Sequence, residues 1–237
     1  LRSPAINELY SQGLHQGVSG LEEGDKNLKI ERSTKAVLSA DWRFGDKLFL
    51  QTIGYAQYVK NYIYLQPQDE LRLTIRGAFP VFIYTQTDAT IFGADAMLSY
   101  EPVSNLKLQA KYAYILGDDV RNGQPLVYMP SNNLLGTLTY SLKDGKRFKN
   151  SHVSVNGRYV FKQNHLNEDQ DLTPPPAGYF LLGASIGTNL KRNKLEWQFS
   201  ITGQNLLNTR YRDYLNRQRY FADDIGWNVN VRVGLKF

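Results

Sequence analysis

One pattern constrains this chain more than any other: residues alternate between apolar and polar with a period of two, segment after segment. In the closing stretch WNVNVRVGLKF, Trp227, Val229, Val231, Val233, Leu235 and Phe237 fall on one side of an extended strand. Asn228, Asn230, Arg232, Gly234 and Lys236 fall on the other. Nine such two-faced segments are read, and helical periodicity is nearly absent. Ala36, Leu38, Ala40, Trp42 and Phe44 oppose Lys35, Ser39, Asp41 and Arg43, and Leu195, Trp197, Phe199 and Ile201 oppose Glu196, Gln198, Ser200 and Thr202. The others lie at about 47–66, 88–101, 106–116, 133–142, 152–161 and 180–186; the faces of 47–66 are the least cleanly sorted.

The links between strands carry the next inference. FGDK, PVSN, the stretch around KDGKRFKN and KRNK are short turns rich in Gly, Asp, Asn or Pro. They alternate with long links at roughly 67–87, 117–132, 164–177 and 207–226. In an up-and-down meander, alternate links lie at opposite ends of the sheet. One end therefore has tight turns and the other long loops, the asymmetry of an outer-membrane barrel. Most strands also reach the nine to eleven residues that a tilted membrane-spanning strand requires. Trp42, Phe44, Tyr112, Tyr114, Trp197 and Trp227 sit near strand ends on the apolar face, as interfacial girdles do. A soluble lipocalin-like barrel or β-sandwich alternates in the same way, with its apolar face inward, and stays open as an alternative.

Composition excludes several classes. No apolar run approaches the length of a membrane helix. The chain has no Cys, so it has no disulfide, thiolate metal site or cysteine nucleophile. Its net charge of +6 comes from Lys and Arg scattered over strands and turns, so nucleic acid is not the expected partner. The three histidines lie in separate loops and strands, with none beside a nucleophile in sequence, so an enzyme is not expected. The opening LRSPAINELY has no charged segment leading into an apolar core, so no signal peptide is visible.

Two stretches resemble the TonB-dependent outer-membrane receptors. RSPAINELYSQGLHQGVSGLEEGDKNLKIERS (Arg2 to Ser33) is similar to that family's mid-barrel signature, with R-x-P-x-x-x-E-L-Y, G-x-H-x-G and G-D-x-N-L-x-x-E in order. GQNLLNTRYRDYLNRQRYFADDIGWNVNVRVGLKF (Gly203 to Phe237) resembles its C-terminal signature, ending in Phe. The resemblance implies an all-β, antiparallel, up-and-down transmembrane barrel of about 22 strands in a bacterial outer membrane. These 237 residues are then the C-terminal portion of that barrel, about nine strands, with 1–27 an extracellular loop region and the plug domain and TonB-binding segment absent. It further implies import of a scarce nutrient with energy relayed by TonB. A passive porin-like channel is the other membrane alternative. The implied partners are the TonB complex, outer-membrane lipid and lipopolysaccharide, and the barrel assembly machinery. Phe237, with Trp227, is read as part of the assembly signal, and equally as a lipid-facing residue.

No intrinsic cofactor is expected; the cargo is left among zinc, haem and a ferric siderophore. His15, in G-x-H-x-G, is the candidate metal or haem ligand, because a neutral imidazole binds both. Its neighbours Glu8, Tyr10, Glu22, Glu23 and Asp25 are candidates to add oxygen donors. The competing reading is a solvated loop histidine. His152 opens a strand, and His165 lies in a loop with Asn167, Glu168, Asp169 and Asp171, whose spacing is not that of an EF-hand. Arg210, Arg212, Arg217 and Arg219 are interleaved with Tyr211, Tyr214 and Tyr220. Arg212 and Arg217 lead the candidates for binding an anionic cargo or lipopolysaccharide phosphate, and bracing against Asp213 and Asp223 is the default.

The partial-barrel reading has a direct test. The native polypeptide carrying this C-terminus, extracted with detergent from outer membranes, is expected to have a mass far above 27.1 kDa. A native mass near that value would remove the receptor reading.

Overall fold

The computed structural model of the chain describes residues 1–15, 17, 20–192 and 195–237. A short helix, α1 (Ile6–Tyr10), leads into a hairpin of β1 (Gln12–His15) and β2 (Gly20–Glu23). Then come β3 (Arg32–Phe44), β4 (Leu48–Thr74), β5 (Gly77–Val103), β6 (Leu106–Asp119), β7 (Gln124–Pro125), β8 (Asn133–Ser141), β9 (Phe148–Val160), β10 (Tyr179–Arg192), β11 (Leu195–Gln204) and β12 (Asn228–Lys236). Nine of these, β3-β4-β5-β6-β8-β9-β10-β11-β12, form one antiparallel meander with each strand bonded to its neighbour in sequence. β3 pairs only with β4, and β12 only with β11, so the sheet is an open arc.

All nine segments read from the alternation are strands. Their register explains why the alternation matters. One row of directly paired residues runs Phe44, Leu48, Tyr100, Leu108, Leu138, Val155, Ala184, Gly203 and Val229 across all nine strands. Every member is apolar or glycine. A row on the opposite face runs Lys107, Thr139, Ser154, Ser185, Thr202 and Asn230, all polar. A slip of one residue at any hairpin would put a polar row into the apolar face. That face is uncovered: Leu38 is 78% exposed and Val231 69%. A lipocalin-like barrel or sandwich would bury it, whereas a bilayer solvates it.

The structure corrects several expectations. The link at 67–87 is not a loop. β4 continues to Thr74 and β5 starts at Gly77, so a paired hairpin rises from the sheet. Each strand has 27 residues, and a bilayer needs about ten, leaving roughly 50 Å of chain beyond it. Alternation was unclear there because this hairpin leaves the membrane and packs on loops. A bulge between Val59 and Tyr62 marks the change, with Asn61 at φ 57°. Residues 1–27, expected as a loop region, carry structure of their own in α1 and the β1–β2 hairpin. Leu21–Glu23 of β2 pair in parallel with Val81–Ile83 of β5. Gln16, Val18 and Ser19 of the His15 segment, and Asn193 and Lys194 of the KRNK turn, lie outside the described residues.

The most buried apolar side chains gather at the long-loop end. Leu126 and Met129, from the β6–β8 link, pack on Ala89, with Tyr62, Ile91 and Ile115 around them. Val81 and Phe82 are completely buried. Chain folds inward over the mouth there while the strand walls stay open. Within the wall, Gly93 makes room for an aromatic ring. The Tyr55 ring lies across it, and Lys35 sits 4.2 Å from that ring's centroid. Any Cβ at position 93 would overlap the ring.

The two faces differ in their tolerance of charge. Ile201→Arg, on the apolar face, is expected to cost the folded barrel about 2–4 kcal/mol in lipid. Thr202→Arg, one residue on, is expected to cost less than about 1 kcal/mol. Unfolding by denaturant in the same vesicles measures both; equal costs would contradict the assignment of faces.

Candidate functional site

Both signature stretches fold into staples at the loop end. In the first, Arg2 lies between two carboxylates. It pairs with Glu8 of α1 at 2.9 Å and with Glu31, while its backbone bridges Glu31. The second oxygen of Glu31 accepts the backbone N–H of Ile63 at 2.7 Å, immediately past the β4 bulge. Glu8 also accepts the N–H of Ala5, at the start of α1. Gly24 abuts the end of this helix, where a Cβ would come within 2.6 Å of the backbone of Leu9 and Tyr10. Asp25 then closes the turn, accepting from the N–H of Asn27. The Arg, Glu, Gly, Asp and Glu of the motif are thus one clasp, holding 1–31 against the β4–β5 hairpin.

The second signature works through asparagine. Asn205 and Asn208 both adopt left-handed backbone, φ 48° and 50°, which Asn tolerates better than most residues. The Asn205 amide donates to the carbonyls of Thr209 and Ile225, and its oxygen accepts the Thr209 N–H. Asn208 accepts the N–H of Trp227. The two ends of the β11–β12 loop are joined by these contacts.

Between its ends, that loop reaches across the mouth. Arg217 pairs with Glu22 of β2 at 2.7 Å and lies 5.3 Å from the centroid of the Phe82 ring. Gln218 donates to the carbonyl of Gly17. Arg219 and Asp171 form a buried ion pair, their side chains 1% and 3% exposed. Burying two charges is costly unless their remaining hydrogen-bonding groups are satisfied. Here Tyr220 donates to Asp171 at 2.6 Å, Arg219 donates to Thr173, and the guanidinium faces the rings of Tyr214 and Tyr220. Only Nε of Arg219 is left without a partner. The Tyr220 hydroxyl also meets that of Tyr128, from the β6–β8 link. Burial, then the neighbouring Tyr128 and Asp171, push the Tyr220 hydroxyl far above its ordinary value, so it stays a donor. Three loops are locked together here.

The candidate residues are therefore dispersed. Glu8 belongs to Arg2, Glu22 to Arg217, Glu23 to Arg72, and Arg212 to Asp223 at 2.8 Å. His15 ends β1 with its imidazole exposed, and Tyr10 is exposed with Lys26 5.7 Å from its ring centroid. Among the described residues no group of three His, Asp or Glu side chains is close enough to hold a metal ion. His152 lies on the polar face, its Nδ1 3.2 Å from the Asn150 carbonyl. His165 meets Asp118 at 2.7 Å. Asp213 accepts from Tyr179, and Asp171, read with the acidic run of its loop, is the buried partner of Arg219. Trp227 and Phe237 project from the ends of β12, 62% and 98% exposed.

Sequence reasoning passed over Arg2, Glu31 and Tyr128, and also the Asp119 cap. Asp119 is buried above the apolar band, accepting from Thr87, Asn122 and the N–H groups of Arg121 and Asn122. Burial raises its pKa, but these hydrogen bonds together outweigh it and hold the carboxyl below the usual value. Hydrogen bonds from the Arg121 side chain and the Asn61 backbone lower that of Asp88. The signal for Arg2 and Glu31 was the motif itself, whose charges are spaced as partners rather than as ligands.

The family described as TonB dependent receptor-like, beta-barrel matches residues 1–206. The chain belongs to the TonB-dependent receptor β-barrel family. Its relatives are transporters or receptors of bacterial outer membranes, not enzymes, and TonB-dependent receptors work with TonB. Among solved structures it is similar to the copper transporter OprC, with 22% identity, a TM-score of 0.71, and 98% of this chain covering 35% of that one. The FrpB iron transporter of Neisseria meningitidis gives 16% identity and 0.58, over 91% and 32% of the two chains. The siderophore receptor PirA of Acinetobacter baumannii gives 15% and 0.58, over 95% and 36%. At these identities the likeness establishes the fold, and the chain spans about a third of the length of each.

Two outcomes follow for the receptor that carries this chain. Arg219→Ala leaves Asp171 buried without its cation, which costs about 3–5 kcal/mol of local stability. Limited proteolysis should then cut within 164–177 and 207–226, where the wild type resists. The depressed Asp88 and Asp119 stabilise the fold around Asn61 and Arg121 above the ordinary aspartate value of 3.8, and this is lost as pH falls through their lower folded values. Hydrogen exchange, corrected for intrinsic rate, should show that segment protected at pH 5 and opening only well below 3.8.

Proposed function

We propose that this chain forms part of the wall and extracellular mouth of an outer-membrane receptor that imports a scarce metal, as an ion, as haem or as a metal–siderophore complex, with energy relayed by TonB. The observation that carries this reading is the nine-strand arc with one apolar and one polar face, its long-loop end closed by locked loops. An arc with two open edges leaves backbone N–H and C=O groups unpaired, which a bilayer does not tolerate, so further strands complete the wall. Its structural relatives are named for copper, iron and siderophore transport or reception, which supports a metal-containing cargo.

Within this reading the engaged pairs Arg2–Glu8, Glu22–Arg217 and Arg212–Asp223 brace the mouth, and the exposed His15 and Tyr10 are offered to cargo. Phe237, just past the edge strand β12, is with Trp227 part of the signal read during barrel assembly. Deleting the gene for the receptor should impair growth under metal limitation with one of copper, zinc, haem or a ferric siderophore as the supplement, and loss of TonB should have the same effect. Growth indifferent to both deletions on all four would overturn the importer reading. Zn²⁺ and haem titrations of the full receptor should weaken with His15→Ala; unchanged affinity for both would remove His15 as a ligand.

A further inference from the structure

A cavity of about 360 Å³ lies on the polar face of the sheet directly beneath the β11–β12 loop, within the size range of small-molecule sites. Arg158 of β9 lines it. In the sheet Arg158 is paired with Leu135 on one side and Leu181 on the other, so its stem has an apolar residue to each side. Of the other arginines at the loop end, Arg121 pairs with Asp88, Arg212 with Asp223, Arg217 with Glu22 and Arg219 with Asp171, while Arg210 is exposed and lies outside the cavity lining. Arg158 has no such partner among the described residues.

The remaining polar lining is mostly neutral. Asn156 and Asn228 bring amides, and Tyr211 brings a phenol whose ring packs on Tyr179 at 4.4 Å. Burial and the charges of Asp224 and Asp213 push the Tyr211 hydroxyl up, against the opposing Arg158, so it remains a donor. The one carboxylate in the lining, Asp224, already accepts from the Asp213 N–H and the Asn216 amide, one on each oxygen. The cavity thus offers an uncommitted guanidinium, neutral donors, an aromatic ring and leucine, with its only anion tied down.

We propose that this cavity is a binding subsite for an organic carboxylate, with Arg158 as the charged anchor and Tyr211 as a second donor. A guanidinium takes a carboxylate in a bidentate fork, and the leucines and Tyr211 accept the apolar body attached to it. The site opens to the sheet interior below the locked loops, so it meets cargo that has passed the mouth. The inference rests on the importer reading and narrows its cargo to one bearing a carboxylate.

The test uses the full receptor in detergent with 4-fluorobenzoate as probe and 4-fluorobenzamide as its uncharged counterpart, read by fluorine NMR line broadening. The benzoate should broaden and the benzamide should not. Arg158→Gln should weaken benzoate binding by at least about tenfold, and Tyr211→Phe by less. Arg232→Gln, on the same face but outside the cavity, should leave binding unchanged. Equal binding of the two probes, equal binding to wild type and Arg158→Gln, or no benzoate binding to the wild type would each overturn the proposal. The last result would also arise if a carboxylate elsewhere in the receptor fills the site, which equally removes it as a cargo subsite. Growth that depends on TonB without benzoate binding would sink the subsite and leave import standing. Benzoate binding that depends on Arg158, with growth indifferent to TonB, would do the reverse.

Discussion

Everything in this structure depends on nine strands staying in phase. A bilayer solvates apolar side chains but offers no hydrogen bond to a peptide group, so each wall strand must pair with its neighbours and show one apolar face outward. The row from Phe44 to Val229 meets both demands at once. Glycine and alanine can stand in it beside Leu and Tyr because the lipid requires only that nothing polar appear there. The polar face has no comparable demand, and it mixes Lys, Thr, Ser and Asn freely.

The same constraint explains where irregularity sits. The β4–β5 hairpin is regular through the apolar band, then bulges at Asn61 and again between Pro67 and Leu71. Past the first bulge its partners are water and other loops, and its side chains answer to packing. Asn61 marks that boundary: its N–H is taken by Asp88, its carbonyl by Gln86, and its side chain reaches the Ile30 carbonyl. The clasp of Arg2, Glu8 and Glu31 fastens at the same level. The wall is therefore specified by lipid, and the mouth by ion pairs and hydrogen bonds that water alone would weaken. Burial makes the Arg219–Asp171 pair an exacting one. Its worth lies less in net stability than in admitting one arrangement of three loops. Tyr128, an aromatic residue at φ 56°, is held in that arrangement by its hydroxyl contact with Tyr220.

For function, the division matters because a receptor must seal its mouth and yet let cargo in. Most charged groups that looked available in the sequence are engaged with one another, so the mouth is braced before any ligand arrives. Among the described candidates, those left uncommitted sit in distinct positions: the His15 imidazole and the Tyr10 phenol in the first signature, the exposed Arg210 on the last loop, and the Arg158 guanidinium below it.

The sequence alone determined the nine wall strands, the sorting of their faces and the alternation of tight turns with long links, because a period of two records the bilayer residue by residue; the family was legible separately, in the two signature stretches. Wherever the chain leaves the bilayer that record stops. Residues 67–87 read as a loop although most of them are paired strand, since a hairpin in water need not alternate. Charges also lost their meaning in one dimension. Glu22 lies near His15 in the chain, yet its partner is Arg217, 195 residues away. Only the tertiary structure decided which acids face which bases, because ion pairs form between loops, and the loops meet only once the wall has curved to bring them together.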